Sequence, residues 1–67
     1  MTFNTVRAFS IRPGDKVPGP LSWGGWDKRR AIEVSEVTNG VDGMIVFKLV
    51  NGDSFRAIPM NLIPFIR

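Results

Sequence analysis

The sequence predicts an all-β fold, a small barrel of five short strands with a 3₁₀ turn before the last strand. Seven Gly and five Pro interrupt the 67 residues at short intervals. The runs between these breakers are short and rich in β-branched and aromatic residues, which favours strands, and no window has the apolar stripe of a useful helix. Five short strands cannot cover two faces as a flat sheet, so we expect them to curl into a barrel.

The first third of the chain is predicted to hold one short strand and a long loop. Residues 1–11 are predicted as an N-terminal tail or an extra strand, and residues 12–67 as the barrel. The barrel opens with Arg-Pro-Gly-Asp-Lys-Val at 12–17, which is typical of a turn that leads into a strand. Residues 18–29 are rich in Gly and Pro and carry both Trp residues. We expect a loop there, and loops of this length are often functional.

A second strand is predicted over residues 30–38. Ile32 and Val34 share one face of this strand, but Val37 is out of phase with them. We therefore expect a bulge or a strong bend near Ser35. A turn over residues 39–43 then leads into the next strand.

The strongest local signal is Asn51-Gly52, a pair that tolerates positive φ at both positions and therefore predicts a type I′ hairpin turn. It joins a central strand over residues 44–50, with at least one covered face, to a strand over 54–58.

The remaining residues are predicted to close the barrel. Residues 60–62 lie between two prolines and have the length of one 3₁₀ turn. A last strand is expected over residues 63–66, where Pro64 requires either an edge strand or a position at the start of the strand.

Composition removes several classes of function. The chain has no Cys and no His, which excludes disulfides, zinc or haem sites built from thiolate or imidazole ligands, thiol nucleophiles and His-based triads. The carboxylates are scattered and no Ser has a neighbouring base, so neither a catalytic site, nor a metal site, nor a cofactor is predicted. No apolar run is long enough for a signal peptide or a membrane span. We therefore expect a small cytoplasmic protein without a membrane partner.

The net charge points to an anionic partner. Nine Lys and Arg against six Asp and Glu leave a formal charge of +3. On so small a body this favours nucleic acid or an acidic protein surface. The alternative is that the charge serves solubility alone.

Two segments resemble the SH3-like small-barrel superfamily. Residues 12–17 resemble the Gly-Asp turn that opens a strand in many such barrels, and residues 57–63 resemble the passage from the fourth strand through a 3₁₀ turn into the fifth. The resemblance covers residues 12–67 at the level of architecture and implies an SH3-like barrel.

The branches of this superfamily imply different functions. Eukaryotic SH3 domains bind Pro-rich peptides, but Leu62 replaces an expected aromatic residue, so such a peptide is not expected. Type II dihydrofolate reductases are similar around residues 54–59, but they need Gln and Tyr where this chain has Arg56 and Ile58. The C-terminal domains of retroviral integrases, which bind DNA non-specifically and self-associate, are similar at residues 26–30.

The stretch Trp26-Asp27-Lys28-Arg29-Arg30 is the best candidate for binding chemistry. Consecutive cations neutralise phosphates and release counterions, and an indole can stack on an unpaired base. The sequence therefore predicts a non-catalytic nucleic-acid-binding barrel of low sequence specificity, of the kind that phages or mobile elements carry as accessory proteins. The predicted contact residues are Trp23, Trp26, Lys28, Arg29, Arg30, Lys48 and Arg56.

Each part of this prediction has an alternative. Lys28 to Arg30 can be ordinary solvated charges that Asp27 partly neutralises. Trp23 and Trp26 can both cover the open end of the barrel, or one can do so while the other remains a contact residue. Finally, the apolar residues of the central and C-terminal strands outnumber what one small interior can bury, which favours an assembly module that forms a homo-oligomer. The alternative is that the N-terminal residues fold over this apolar surface within the monomer.

Overall fold

The computed structural model describes residues 2–66 of the chain. These residues contain six strands and one 3₁₀ helix, joined by turns. Met1 and Arg67, the outer ends of the two predicted segments, lie outside the described residues. The strands are β1 (Asn4–Arg7), β2 (Lys16–Pro20), β3 (Trp26–Asn39), β4 (Ile45–Leu49), β5 (Ser54–Ala57) and β6 (Leu62–Phe65). The all-β prediction is confirmed, but the number of five strands is wrong, because the N-terminal segment forms β1.

The strands form two antiparallel sheets that together make a half-barrel. One sheet has the order β2-β3-β4-β5, and the other pairs β1 with β6. A bridge between Lys16 and Ile66 joins the two sheets. The larger sheet curls so far that Trp26, at the start of β3, contacts Phe55 on β5.

The prediction of a long loop over residues 18–29 is wrong, because these residues form a tight hairpin between β2 and β3. The Leu21 N–H donates to the Gly25 carbonyl and the Gly24 N–H donates to the Leu21 carbonyl, both at 3.0 Å. Gly24 has a φ of +96°, which closes the turn in the left-handed region. Strand β2 tolerates its prolines because it lies at an edge of its sheet.

Strand β3 bends where the sequence predicted it would. The pairing with β4 shifts register between Val34 and Glu36, so Ser35 is an extra residue without a partner on β4. Its hydroxyl donates to the Lys48 carbonyl at 3.0 Å. The bulge turns Val37 towards the same side as Val34, and both pack in or against the core.

The β4–β5 hairpin is tight, but its turn differs from the expected type I′. The Gly52 N–H donates to the Leu49 carbonyl at 3.1 Å, and the Leu49 N–H donates to the Asp53 carbonyl at 2.9 Å. Of the turn residues, Gly52 alone has positive φ, at +94°, while Asn51 does not. The connection is therefore three residues long, and this length needs a left-handed residue only at its last position.

The expected 3₁₀ turn before the last strand is a single hydrogen-bonded turn, in which the Asn61 N–H donates to the Ile58 carbonyl at 3.0 Å. Leu62 already belongs to β6. The 3₁₀ helix lies at Ala8–Ser10 instead. It packs on this turn, because the N–H groups of Ala8 and Phe9 donate to the carbonyls of Asn61 and Pro59 at 2.8 and 3.2 Å.

The core lies inside the curl of the larger sheet and is closed by β6. On β4 the inward side chains Ile45, Phe47 and Leu49 are buried, whereas Lys48 faces outward and is exposed. This confirms the expected central strand with one covered face. The remaining buried apolar residues are Ala8, Ile11, Val17, Ile32, Val34, Ala57 and Ile63.

Candidate nucleic-acid interface

Five of the seven predicted contact residues lie on the β2–β3 hairpin. Trp23 occupies the turn, and Trp26, Lys28, Arg29 and Arg30 follow on the first part of β3. Because the turn is tight, residues that the sequence places in a loose loop are held on two paired strands. Gly19 pairs with Asp27, and the next pair joins Pro20 to the first residue of β3.

Trp23 is an exposed indole at the tip of the hairpin. Its exposed fraction is 78%. The ring lies over the α-carbon of Gly25, where a Cβ would overlap with Cη2 and Cζ3 of the indole. Only a glycine at residue 25 leaves room for this position, so the hairpin presents one aromatic ring to solvent.

Trp26 is half-buried and anchored to the core. Its ring meets Phe55 edge to face, with 5.0 Å between centroids and an interplanar angle of 88°. Phe55 stacks in turn on the fully buried Phe47, at 4.7 Å and 17°. Of the two alternatives for the Trp pair, the structure has the one in which one ring covers the core and the other remains exposed.

The three consecutive cations form a wide bulge in β3. Val17 pairs with Ile32 and Gly19 pairs with Asp27, so the four residues from Lys28 to Ala31 oppose Pro18 alone. Proline has no N–H to donate, so the ladder is interrupted at a point where β2 offers no donor. The bulged backbone leaves the side chains of residues 28, 29 and 30 exposed.

Asp27 closes the start of this bulge. Its carboxylate accepts hydrogen bonds from the backbone N–H and from Nε of Arg29, both at 3.1 Å. The hydrogen bond from the Arg29 side chain holds the pKa of Asp27 below its usual value, and Asp27 raises the pKa of Arg29 in return. Arg29 is therefore partly neutralised, although 92% of its side chain is exposed.

The side chains of Lys28 and Arg30 are exposed, and Arg30 lies near enough to Asp27 to help lower the pKa of that carboxyl. Neither cation forms an ion pair with any residue between 2 and 66. The Arg30 side chain crosses Gly19 on the neighbouring strand, where a Cβ would lie 3.3 Å from its Cδ and Nη1 atoms. The hairpin therefore exposes one indole, Trp23, and two cations that form no ion pair within the described residues.

Lys48 and Arg56 lie on the outer face of β4 and β5, and both are compensated. Lys48 Nζ lies 3.4 Å from Glu36, and Arg56 Nη1 lies 3.1 Å from Asp42. Lys48 lies on β4 and is not part of the β2–β3 hairpin that carries the three consecutive cations. Arg56 comes close to the hairpin, because it lines the same pocket as Trp26.

This pocket, which we call the hairpin pocket, lies between the tip of the β2–β3 hairpin and β5. It has a volume of about 120 Å³ and opens to solvent. Its lining residues are Pro20, Leu21, Gly24, Gly25, Trp26, Phe55 and Arg56. The sequence prediction did not include Leu21 or Phe55. An aromatic residue on a predicted strand was the available signal, but only the curl of the sheet brings β5 to the hairpin.

Two further features bear on the kinds of site that the chain carries. Within residues 2–66 no three acidic side chains come together as metal ligands would. The same residues include no helix with the length and apolar character needed to cross a bilayer. The cytoplasmic location stays a prediction.

Comparison with known proteins identifies no relative for this geometry. No protein-family model, curated protein or solved structure matches the chain.

Proposed function

We propose that the protein is a non-catalytic nucleic-acid-binding module of low sequence specificity. One observation carries the proposal: a single hairpin presents the exposed Trp23 indole together with Lys28 and Arg30, two cations that form no ion pair within the described residues. Lys48 and Arg56, in contrast, form ion pairs with Glu36 and Asp42. Exposed cations and an exposed aromatic ring on one hairpin suit a ligand with phosphates and bases.

In this proposal the phosphate backbone supplies most of the affinity. Lys28 and Arg30 contact phosphates and displace condensed counterions, so binding weakens as salt is added. Arg29 contributes less, because Asp27 already occupies part of its guanidinium. Trp23 stacks on an exposed base, an interaction worth about 1–3 kcal/mol that does not depend on which base it meets. Trp26 serves as the anchor of the hairpin.

We also propose that the half-barrel is an SH3-like barrel with β1 added at its N-terminus. The turn at residues 12–15, the three tight hairpins and the hydrogen-bonded turn before β6 support this class. An accessory protein of a phage or mobile element remains the proposed biological setting, and the cytoplasm the proposed compartment.

The deciding experiment is a salt-dependent titration with random-sequence DNA and RNA, followed by fluorescence anisotropy of labelled oligonucleotides. We expect dissociation constants of about 1–100 µM near physiological salt, as for non-specific binders. Replacing Lys28 and Arg30 by Ala together should lower the log–log salt slope by about 2, since each lost phosphate contact lowers it by about 1.

The matched control replaces Arg12 and Lys16 by Ala. This pair removes the same net charge at the opposite end of β2 from the hairpin turn. If both double variants weaken binding equally, the hairpin has no special role and the effect is one of net charge. If the unaltered protein binds neither DNA nor RNA at low salt, the proposed function is wrong.

A second candidate is an assembly module, and one surface favours it. Phe9, Ile58, Met60 and Leu62 are each more than half exposed. They lie on the 3₁₀ helix and on the adjoining turn and start of β6, and the Phe9 N–H bonds to this turn at the Pro59 carbonyl. Clustered apolar side chains of this kind mark interfaces.

The assembly function predicts a mass that rises with protein concentration in light scattering. Met60→Lys with Leu62→Lys should then return the mass to that of a monomer, whereas Val41→Lys, at the exposed tip of the β3–β4 turn, should not. A monomeric mass at all concentrations would exclude this candidate and leave the nucleic-acid function untouched.

A further inference from the structure

The hairpin pocket is lined by aromatic, aliphatic and cationic residues together. Its lining includes the aromatic residues Trp26 and Phe55, the aliphatic Leu21 and the cationic Arg56. Nη1 of Arg56 is bound by Asp42, but an arginine has five N–H donors, so others stay available. The pocket therefore combines surfaces for a planar apolar group with a donor for an anion.

The size of the pocket limits what can enter it. Sites for whole drug-sized ligands and cofactors have volumes of roughly 300–1,000 Å³, whereas this one has about 120 Å³. A complete cofactor does not fit, but a single ring system does. The pocket is also open on one side, so the rest of a longer ligand can continue across the surface.

The surroundings favour a ring that carries negative charge nearby. The tip of the same hairpin bears the exposed Trp23, and the bulge that follows bears Lys28 and Arg30. A peptide with an aromatic side chain would fill the pocket but would leave these cations without partners. A nucleotide in a strand satisfies both features, because its base is flat and apolar on its faces and its neighbours are phosphates.

We propose that the hairpin pocket receives one unpaired nucleobase, and that the protein therefore prefers single-stranded nucleic acid to duplex. This inference rests on the proposed function and adds the class of ligand. The base packs against Trp26 and Leu21, and Arg56 binds the phosphate beside it. A base inside a duplex is stacked and paired on all sides, so it cannot enter a pocket of this shape without being flipped out.

The test compares one oligonucleotide sequence as a single strand and as a duplex, in both DNA and RNA form, under identical salt. We expect the single strand to bind at least tenfold more tightly. Leu21→Trp fills the pocket without changing the charge, and it should reduce this preference to about onefold. Val50→Trp, which adds the same side chain at an exposed turn position, should retain the preference of the unaltered protein.

A second measurement does not depend on how the Leu21 variant folds. The chain has two Trp residues, so Trp23→Phe leaves Trp26 as the single indole. In this variant the single strand should quench Trp26 emission, and the duplex at equal saturation should not.

Equal binding of single strand and duplex, or an unchanged preference in a folded Leu21→Trp protein, would overturn the inference while the proposed function stands. Unquenched Trp26 emission at saturation would overturn it as well. Failure of either form of nucleic acid to bind at low salt would instead remove the proposed function, and the inference with it.

Discussion

The indole ring of Trp23 lies over the α-carbon of Gly25, two residues further along the chain, so closely that a Cβ there would overlap with the ring. Neither residue belongs to the core. The contact nevertheless decides how the tip of the hairpin presents its aromatic ring, because the ring can occupy this position only above a glycine.

We therefore predict that Gly25→Ala displaces the Trp23 ring and changes stability little, by about 0.5 kcal/mol, because the ring is exposed and can swing into solvent. The displacement should appear as a shift of Trp23 emission in a Trp26→Phe background. In a Trp23→Ala background the same substitution should be neutral or stabilising, since Gly25 does not have positive φ. If Gly25→Ala changed the stability by the same amount with and without the Trp23 ring, Trp23 and Gly25 would not be coupled.

Phe47 should dominate the stability of the fold. It is fully buried at the centre of the curled sheet and carries the stack that reaches Trp26 through Phe55. Phe47→Ala should cost about 3–5 kcal/mol, most of the stability that a chain of this length has. The neighbour Val46, half-buried on the outer face of β4, is the control. Urea unfolding should show a much smaller loss of unfolding free energy for Val46→Ala than for Phe47→Ala. Comparable losses for the two variants would show that Phe47 is not at the centre of the core.

The pKa of Asp27 predicts a contribution to stability that depends on pH. The hydrogen bond from Arg29 lowers this pKa below the usual 3.8, so the ionised carboxylate is favoured in the folded state. Its contribution is fully present above the pKa of the unfolded chain and is lost as pH falls through the lowered pKa. The difference in unfolding midpoint between the unaltered protein and Asp27→Asn should therefore shrink as pH is lowered below about 4. A difference that is constant from pH 7 to pH 2 would contradict this.

The same substitution should strengthen nucleic-acid binding at neutral pH. The amide oxygen that replaces the carboxylate can still accept from Arg29, but it carries no charge, so the guanidinium is held more weakly and becomes available to a phosphate. Anisotropy titration of Asp27→Asn should give a tighter dissociation constant and a steeper salt slope. The control Asp53→Asn makes the same change of net charge in the β4–β5 turn instead of in the hairpin. An equal gain for both variants would attribute the effect to net charge alone.

Local signals in the sequence were sufficient for most of the strands and turns. The breakers and the β-branched runs predict an all-β chain, the Gly-Asp turn before β2 lies where expected, and the phase change at Val37 predicts the bulge at Ser35. These features depend on residues that are neighbours in the chain. The type of the β4–β5 turn could not be predicted in the same way. Asn51-Gly52 is compatible with a two-residue type I′ turn, but it is also compatible with a three-residue turn in which only Gly52 has positive φ.

The β2–β3 hairpin shows where such signals fail. Its composition of Gly and Pro is typical of a loop, and only pairing with the start of β3 makes it an edge strand and a tight turn. The same pairing places four residues of β3 opposite Pro18, which turns a run of three cations into an exposed bulge.

The sequence by itself determined that the chain is all-β, that it carries a small positive charge, and that both Trp residues and three of the nine cations lie between residues 23 and 30. Only the tertiary structure decided which charges are compensated, which indole is exposed, and that Phe55 and Arg56 meet Trp26 around one pocket. The reason is physical. Charge pairing and burial depend on distances across strands that are far apart in sequence, and the curl of the sheet sets those distances.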